Sequence, residues 1–148
     1  MAATLGAAPA ALLDNIVWEA LAGTQARFSA GTDTARRYAQ GFSPIVGFAD
    51  AEHPDFAALT PYCAPGEEFY CSGWTSPSAP AGWQIHAEKM GHQMVWDAPI
   101  PDADPDFAPV VLGTQHVQQM LALVTLRMPG PFAGRSHELG DYFGVFEG

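Results

Sequence analysis

The chain has 148 residues, enough for one compact domain or a domain with a small companion. Six basic side chains against sixteen acidic ones leave a formal charge of −10. That balance argues against a nucleic-acid backbone or an anionic membrane surface as partner, because both need clustered lysines and arginines.

Residues 1–13 are small, apolar and uncharged, and read as a flexible tail. Asp14 stands where a helix N-cap belongs, and Val17, Leu21 and Phe28 recur at helical spacing, so a helix is expected over about Asn15 to Phe28, weakened by Gly23. Ser29 to Asp33 should break it. Ala35 to Ala39 and Pro44 to Ala49 read as two short strands separated by a Gly41-Phe42-Ser43-Pro44 turn. Pro54 suits the first turn of a short helix over His53 to Tyr62, which Ala64-Pro65-Gly66 ends. Phe69 to Cys71 begins a strand, and Thr75 to Gly82 is a loop. Trp83, Ile85 and Ala87 alternate with polar residues and Met94 to Trp96 return after Gly91, the pattern of a hairpin.

Asp97 to Asp106 holds four acids and three prolines in ten residues. Proline removes ladder donors and like charges repel, so this stretch should be an extended, solvated connector and a boundary. Beyond it, Pro109 to Leu112 reads as a strand and Thr114 to Met128 as a helix, with Val117, Leu121, Val124 and Met128 on one stripe. Pro129-Gly130-Pro131 stops that helix. A helical turn over Arg135 to Leu139 and a strand over Tyr142 to Phe146 complete the chain. That strand is apolar on both faces, which suits one that is covered twice, either by association with another chain or by the Trp83 to Trp96 hairpin folding back over it.

Little chemistry is legible in single motifs. Cys63 and Cys71 match no disulfide framework, zinc or redox spacing and read as free thiols. The histidines (53, 86, 92, 116 and 137) lack metal-site spacing, so no metal is expected, although a hairpin would bring His86 and His92 near each other. Nucleophile-elbow, phosphate-loop and dinucleotide signatures are missing. The acidic run has no looping glycine for calcium, and the aromatics, not interleaved with basic residues, read as core. Neither a signal peptide nor a membrane span is recognisable, which points to the cytoplasm.

Pro129-Gly130-Pro131-Phe132, then Arg135, then Glu138-Leu139-Gly140-Asp141-Tyr142-Phe143-Gly144-Val145 resemble a stretch of certain bacterial GNAT-superfamily N-acetyltransferases. The strand and helix before this stretch fit the same pattern, as do Asp14 to Leu21, Ala35 to Tyr38, Ser43-Pro44 and Gly91 to Val95 upstream. Met128 departs from it, standing where the family often has a residue such as arginine. The resemblance implies a mixed α/β fold: a degenerate GNAT-like half-domain over 14–96, a linker over 97–108, and over 109–148 the first strand, two helices and second strand of an incomplete catalytic domain. The family binds acetyl-CoA as co-substrate through a Gln/Arg-x-x-Gly-x-Gly/Ala loop at a helix N-terminus, and that loop is missing from this sequence. The chain alone is therefore expected neither to bind acetyl-CoA nor to turn it over, and no catalytic residue is assigned. By the same resemblance Pro131 and Phe132 would border the groove for the acceptor amine, a small molecule or a peptide, with Arg135 and Glu138 near it; alternatively Pro131 and Phe132 simply cap and staple helices. Two classes of function remain: an acetyltransferase whose missing part is supplied elsewhere, or a non-enzymatic module for recognition or pairing.

Overall fold

A computed structural model describes residues 7–96, 98–102, 104, 107–128 and 130–146. The fold is mixed α/β, with one four-stranded and one two-stranded sheet. Strands β1 (Ser29–Gly31), β2 (Ala35–Tyr38), β3 (Ile45–Phe48) and β4 (Tyr70–Cys71) lie in that order, the first two pairings antiparallel and the third parallel. Alternation along β2 and β3 gives the sheet two buried faces. Ala35, Val46 and Phe48 form one cluster with Phe56 and Leu59 of helix α3 (Phe56–Leu59), flanked by Phe69, Trp74 and Trp83. Tyr38 turns to the opposite face and packs with Phe42 and with Leu21 of helix α2 (Ile16–Ala22). Gly47 permits that approach: a Cβ there would stand 3.0 Å from Val17 and 3.1 Å from the Trp18 amide.

The arginine of β2 that shares a face with Ala35 is buried and used as a clasp. Arg37 Nε donates to the Tyr38 carbonyl (3.0 Å), Nη1 to the Tyr62 carbonyl (2.9 Å) and to Glu67 Oε2 (2.6 Å), and Nη2 to Glu67 Oε1 (2.9 Å). Its guanidinium also lies 4.5 Å from the centre of the Phe69 ring. The segment between α3 and β4 is thereby fastened to the sheet. Burial pushes both nearby thiols up, Cys71 to about 11, so neither cysteine is an ionised nucleophile at neutral pH.

Several expectations change. Residues 7–13 are not a loose tail: helix α1 (Ala7–Asp14) runs through them, while residues 1–6 lie outside the described residues. Asp14 ends α1 and is not the cap; Asn15 takes the cap position of α2 and donates its side-chain amide to the Phe48 carbonyl (2.8 Å), a tertiary bond that outcompetes local capping. The expected long helix stops at Ala22, because Gly23 closes it, and a 3₁₀ turn over Ala26–Phe28 follows. The breaking segment is β1, paired Ser29 to Tyr38. Gly31, at φ +146°, makes the hairpin possible, since a side chain there would collide with the Ala35 carbonyl. Helix α3 begins at Phe56, capped by the Asp55 carboxylate, rather than at Pro54.

The expected hairpin over Trp83 to Trp96 does not form, and His86 and His92 are consequently not on facing strands. Trp83 is drawn into the Phe56 and Phe69 cluster, and residues 84–96 run on without regular structure, exposed. A two-stranded hairpin with no third strand or helix to cover a face is marginal, so burying one tryptophan wins. Residues 98–102 and 104 of the expected linker are likewise exposed and irregular, while 97, 103, 105 and 106 lie outside the described residues. An Asp-directed protease should cut first at Asp102 within this stretch; early cleavage at Asp33 or Asp50, which flank β2 and β3, with Asp102 intact would contradict this arrangement.

The second sheet pairs β5 (Val110–Leu112) with β6 (Tyr142–Gly144), joined through a 3₁₀ turn over Thr114–His116, helix α4 (Val117–Arg127) and a 3₁₀ turn over Ser136–Leu139. The helix expected from Thr114 opens as that 3₁₀ turn, with Gly113 before it, and β6 is two residues shorter than expected. Within α4 Met120 is buried and Val117, Leu121 and Val124 are half-buried, but Met128 leaves the stripe.

Candidate functional site

The segment from Pro131 to Leu139 carries all four residues that the sequence singles out, and its position follows from how α4 ends. Met128 takes a left-handed conformation (φ 49°) and donates its amide to the Val124 carbonyl, closing the helix and turning the chain away. Residues 131–139 then lie against the turn between β2 and β3. The Arg135 amide donates to the Gly41 carbonyl (3.0 Å), and the guanidinium lies 4.4 Å from the centre of the Phe42 ring. Gly41, at φ +94°, fits closely: a Cβ would come within 3.0 Å of the Arg135 side chain. Leu139 enters the cluster of Leu21, Tyr38 and Phe42, and its carbonyl accepts from Gln25 Nε2 (2.8 Å), while Gln25 Oε1 accepts from the Tyr38 hydroxyl.

Arg135 and Glu138 meet in a two-pronged pair, Nε to Oε1 at 2.8 Å and Nη2 to Oε2 at 2.9 Å. Both side chains remain accessible to solvent. Hydrogen bonds from Arg135 hold the Glu138 carboxyl below its usual range, which makes it a weak base at neutral pH and a poor candidate for removing an ammonium proton. Pro131 offers its carbonyl to Ser43 (3.0 Å), and the Phe132 ring meets Tyr142 of β6 edge-on, centroids 5.7 Å apart. Thus Arg135 and Glu138 form one unit, and Phe132 joins the turn to the second sheet. Pro131 is held from the turn between β2 and β3. His137 adds a further tie, donating from Nδ1 to the Gly134 carbonyl (3.0 Å).

Sequence reasoning missed the residues beneath this segment. Ser43 and Ser136 are buried, with their hydroxyl oxygens 2.7 Å apart, and Ser136 Oγ accepts from the Ala133 amide (2.9 Å). Serines carry no periodic signal, so pattern reading passes over them.

A coenzyme pyrophosphate needs successive free amides opening a helix. At the β5-to-α4 junction the Gly113 amide is instead spent on His116 Nδ1 (3.0 Å), and no lysine or arginine lies between Val110 and Leu126, so these residues do not make such a cradle. Among the described residues, no three His, Cys, Asp or Glu side chains are grouped to hold a metal, and no helix is long and apolar enough to cross a membrane.

No family model and no curated protein matches the chain. Its structure is similar to a solved one from Novosphingobium aromaticivorans DSM 12444, named as an acetyltransferase of the GNAT family, with a TM-score of 0.67 and 25% sequence identity. The match covers 91% of this chain and 59% of that one, so the chain spans less than two thirds of the length of the structure that it resembles. Across this match, the mixed α/β architecture is a GNAT acetyltransferase fold.

Proposed function

We propose that this chain is the amino-terminal portion of a GNAT-type acetyltransferase, moving an acetyl group from acetyl-CoA to an amine in the cytoplasm. The observation that carries this reading is the match of 91% of the chain to a GNAT acetyltransferase structure at 25% identity. In this reading residues 14–96 are a degenerate half-domain, 97–108 a linker and 109–148 the start of the catalytic domain, and the acetyl-CoA loop comes from polypeptide outside these residues. The amine nitrogen attacks the thioester carbonyl; the N–C bond forms, the C–S bond breaks, a base takes the ammonium proton and CoA leaves. This chain would supply the acceptor side. Pro131 and Phe132 border the amine's groove, and the accessible Arg135–Glu138 pair offers a cation and an anion to a small or peptidic acceptor. The test is to read the native coding frame past Gly148 and assay the whole product for amine-dependent CoA release. A continuation with a phosphate loop and transfer to an amine is expected; a frame without the loop, or no transfer across an amine panel, overturns the reading.

A second reading, a non-enzymatic pairing module, is favoured by one surface. Val111 and Phe143 are directly paired across β5 and β6, and with Val145 they stand more than half exposed. A sheet apolar on an uncovered face recruits another chain. The isolated chain should therefore sediment above its monomer mass at micromolar concentration, and Phe143→Glu should return it to the monomer. A monomer in both cases would count against this surface as an interface.

A further inference from the structure

We infer that Ser43 and Ser136 are positioning residues that fix the backbone of Phe132, and so set the wall that Phe132 presents to the acceptor. Each hydroxyl has one proton to give. Ser43 donates to the Pro131 carbonyl at 3.0 Å, so in the 2.7 Å contact between the serines Ser136 is the donor, and Ser136 Oγ is left to accept the Ala133 amide at 2.9 Å. The result is a closed chain of three hydrogen bonds, from the Ala133 N–H through both hydroxyls to the Pro131 C=O. These two backbone groups belong to the two peptide units that flank Phe132. The latch thus grips the residue from both sides while leaving its ring free to meet Tyr142.

The latch is buried and comes from two distant parts of the chain. Ser136 is 0% exposed and Ser43 5%, separated by 93 positions. With both residues this deeply buried, replacing either leaves a polar group without its partner. Anchors on both sides keep the segment in register: the Arg135 amide on the Gly41 carbonyl, and Leu139 in the Leu21 cluster. The first sheet, which carries no candidate acceptor residue itself, is thereby the template for the part of the chain that does. What Phe132 faces rests on the acyltransferase reading; the latch itself does not.

The test uses the 148-residue chain and the variants Ser43→Ala, Ser136→Ala and the double variant. In the unsubstituted chain the Ala133 amide should be protected from exchange, and the Phe132 and Tyr142 rings should give a through-space cross-peak by NMR. Either single variant should speed Ala133 exchange at least tenfold and weaken that cross-peak, while the Phe48–Phe56 cross-peak, from rings 4.7 Å apart in the other cluster, persists. The double variant should exchange no faster than the singles, because three linked bonds fail as a unit. Two results would overturn the inference: unchanged exchange and cross-peak in folded variants, or loss of both aromatic cross-peaks together, which marks a general structural role. Should a variant not fold, a wild-type Ala133 amide exchanging at free-peptide rates overturns it as well. None of these readouts involves acetyl-CoA or an amine, so the latch and the acetyltransferase reading can fail separately.

Discussion

Replacing Arg37 with methionine is expected to destabilise the fold by about 3 kcal/mol, measured by urea denaturation at neutral pH. The side chain is buried, its guanidinium makes four hydrogen bonds, and removing it strands the Tyr38 and Tyr62 carbonyls as well as Glu67. Glu67 is partly exposed and water can compensate it, which keeps the loss at the lower end of the range for broken buried pairs. The effect should depend on pH in one direction. Hydrogen bonds from Arg37 hold the Glu67 carboxyl below its usual range, so the pair contributes fully above the ordinary carboxylate pKa of about 4.3. That contribution fades as pH falls through the lower folded value, and the gap between wild type and Arg37→Met should narrow there. A gap of less than 1 kcal/mol at pH 7, or one that widens in acid, would contradict the clasp.

Leu21→Ala is expected to cost a similar amount, about 3 kcal/mol, for a different reason. Leu21 is fully buried where α2, β2 and the carboxy-terminal segment meet, touching a cluster that includes Tyr38, Phe42 and Leu139. Truncation opens a cavity that Gly47, beneath the same helix, cannot fill. Because Leu139 shares this cluster, the cavity should also speed amide exchange at residues 136–139 more than at β3. Equal acceleration at both places would mean that the carboxy-terminal segment is not part of this core.

Short elements flanked by unambiguous punctuation were legible in the sequence. β2 and β3 were readable because Ala35 to Tyr38 and Ile45 to Phe48 enclose a Gly-Phe-Ser-Pro turn, and α4 because its apolar stripe ends at two prolines. Elements decided by partners far along the chain were not. β1 exists because β2 pairs with it, and Asn15 abandons its own helix for the Phe48 carbonyl. The Trp83 to Trp96 stretch has strand chemistry but no face to rest on, so alternation misled there. For the candidate site, the resemblance led to Pro131, Phe132, Arg135 and Glu138, and composition could not have done so. Nothing local marked Ser43, Ser136 or Gln25, whose roles depend on contacts spanning 88 to 114 positions. Arg37 carries one local hint, a charge on the same face of a strand as Ala35.

We propose that this chain carries the acceptor side of an acetyltransferase while other polypeptide holds the coenzyme. Calorimetric titration of acetyl-CoA into the isolated 148-residue chain tests it most directly. No saturable heat at micromolar concentration is predicted, since the only described strand-to-helix junction in the second sheet spends its glycine amide on His116. A stoichiometric, micromolar or tighter signal from a monomeric chain would contradict the account.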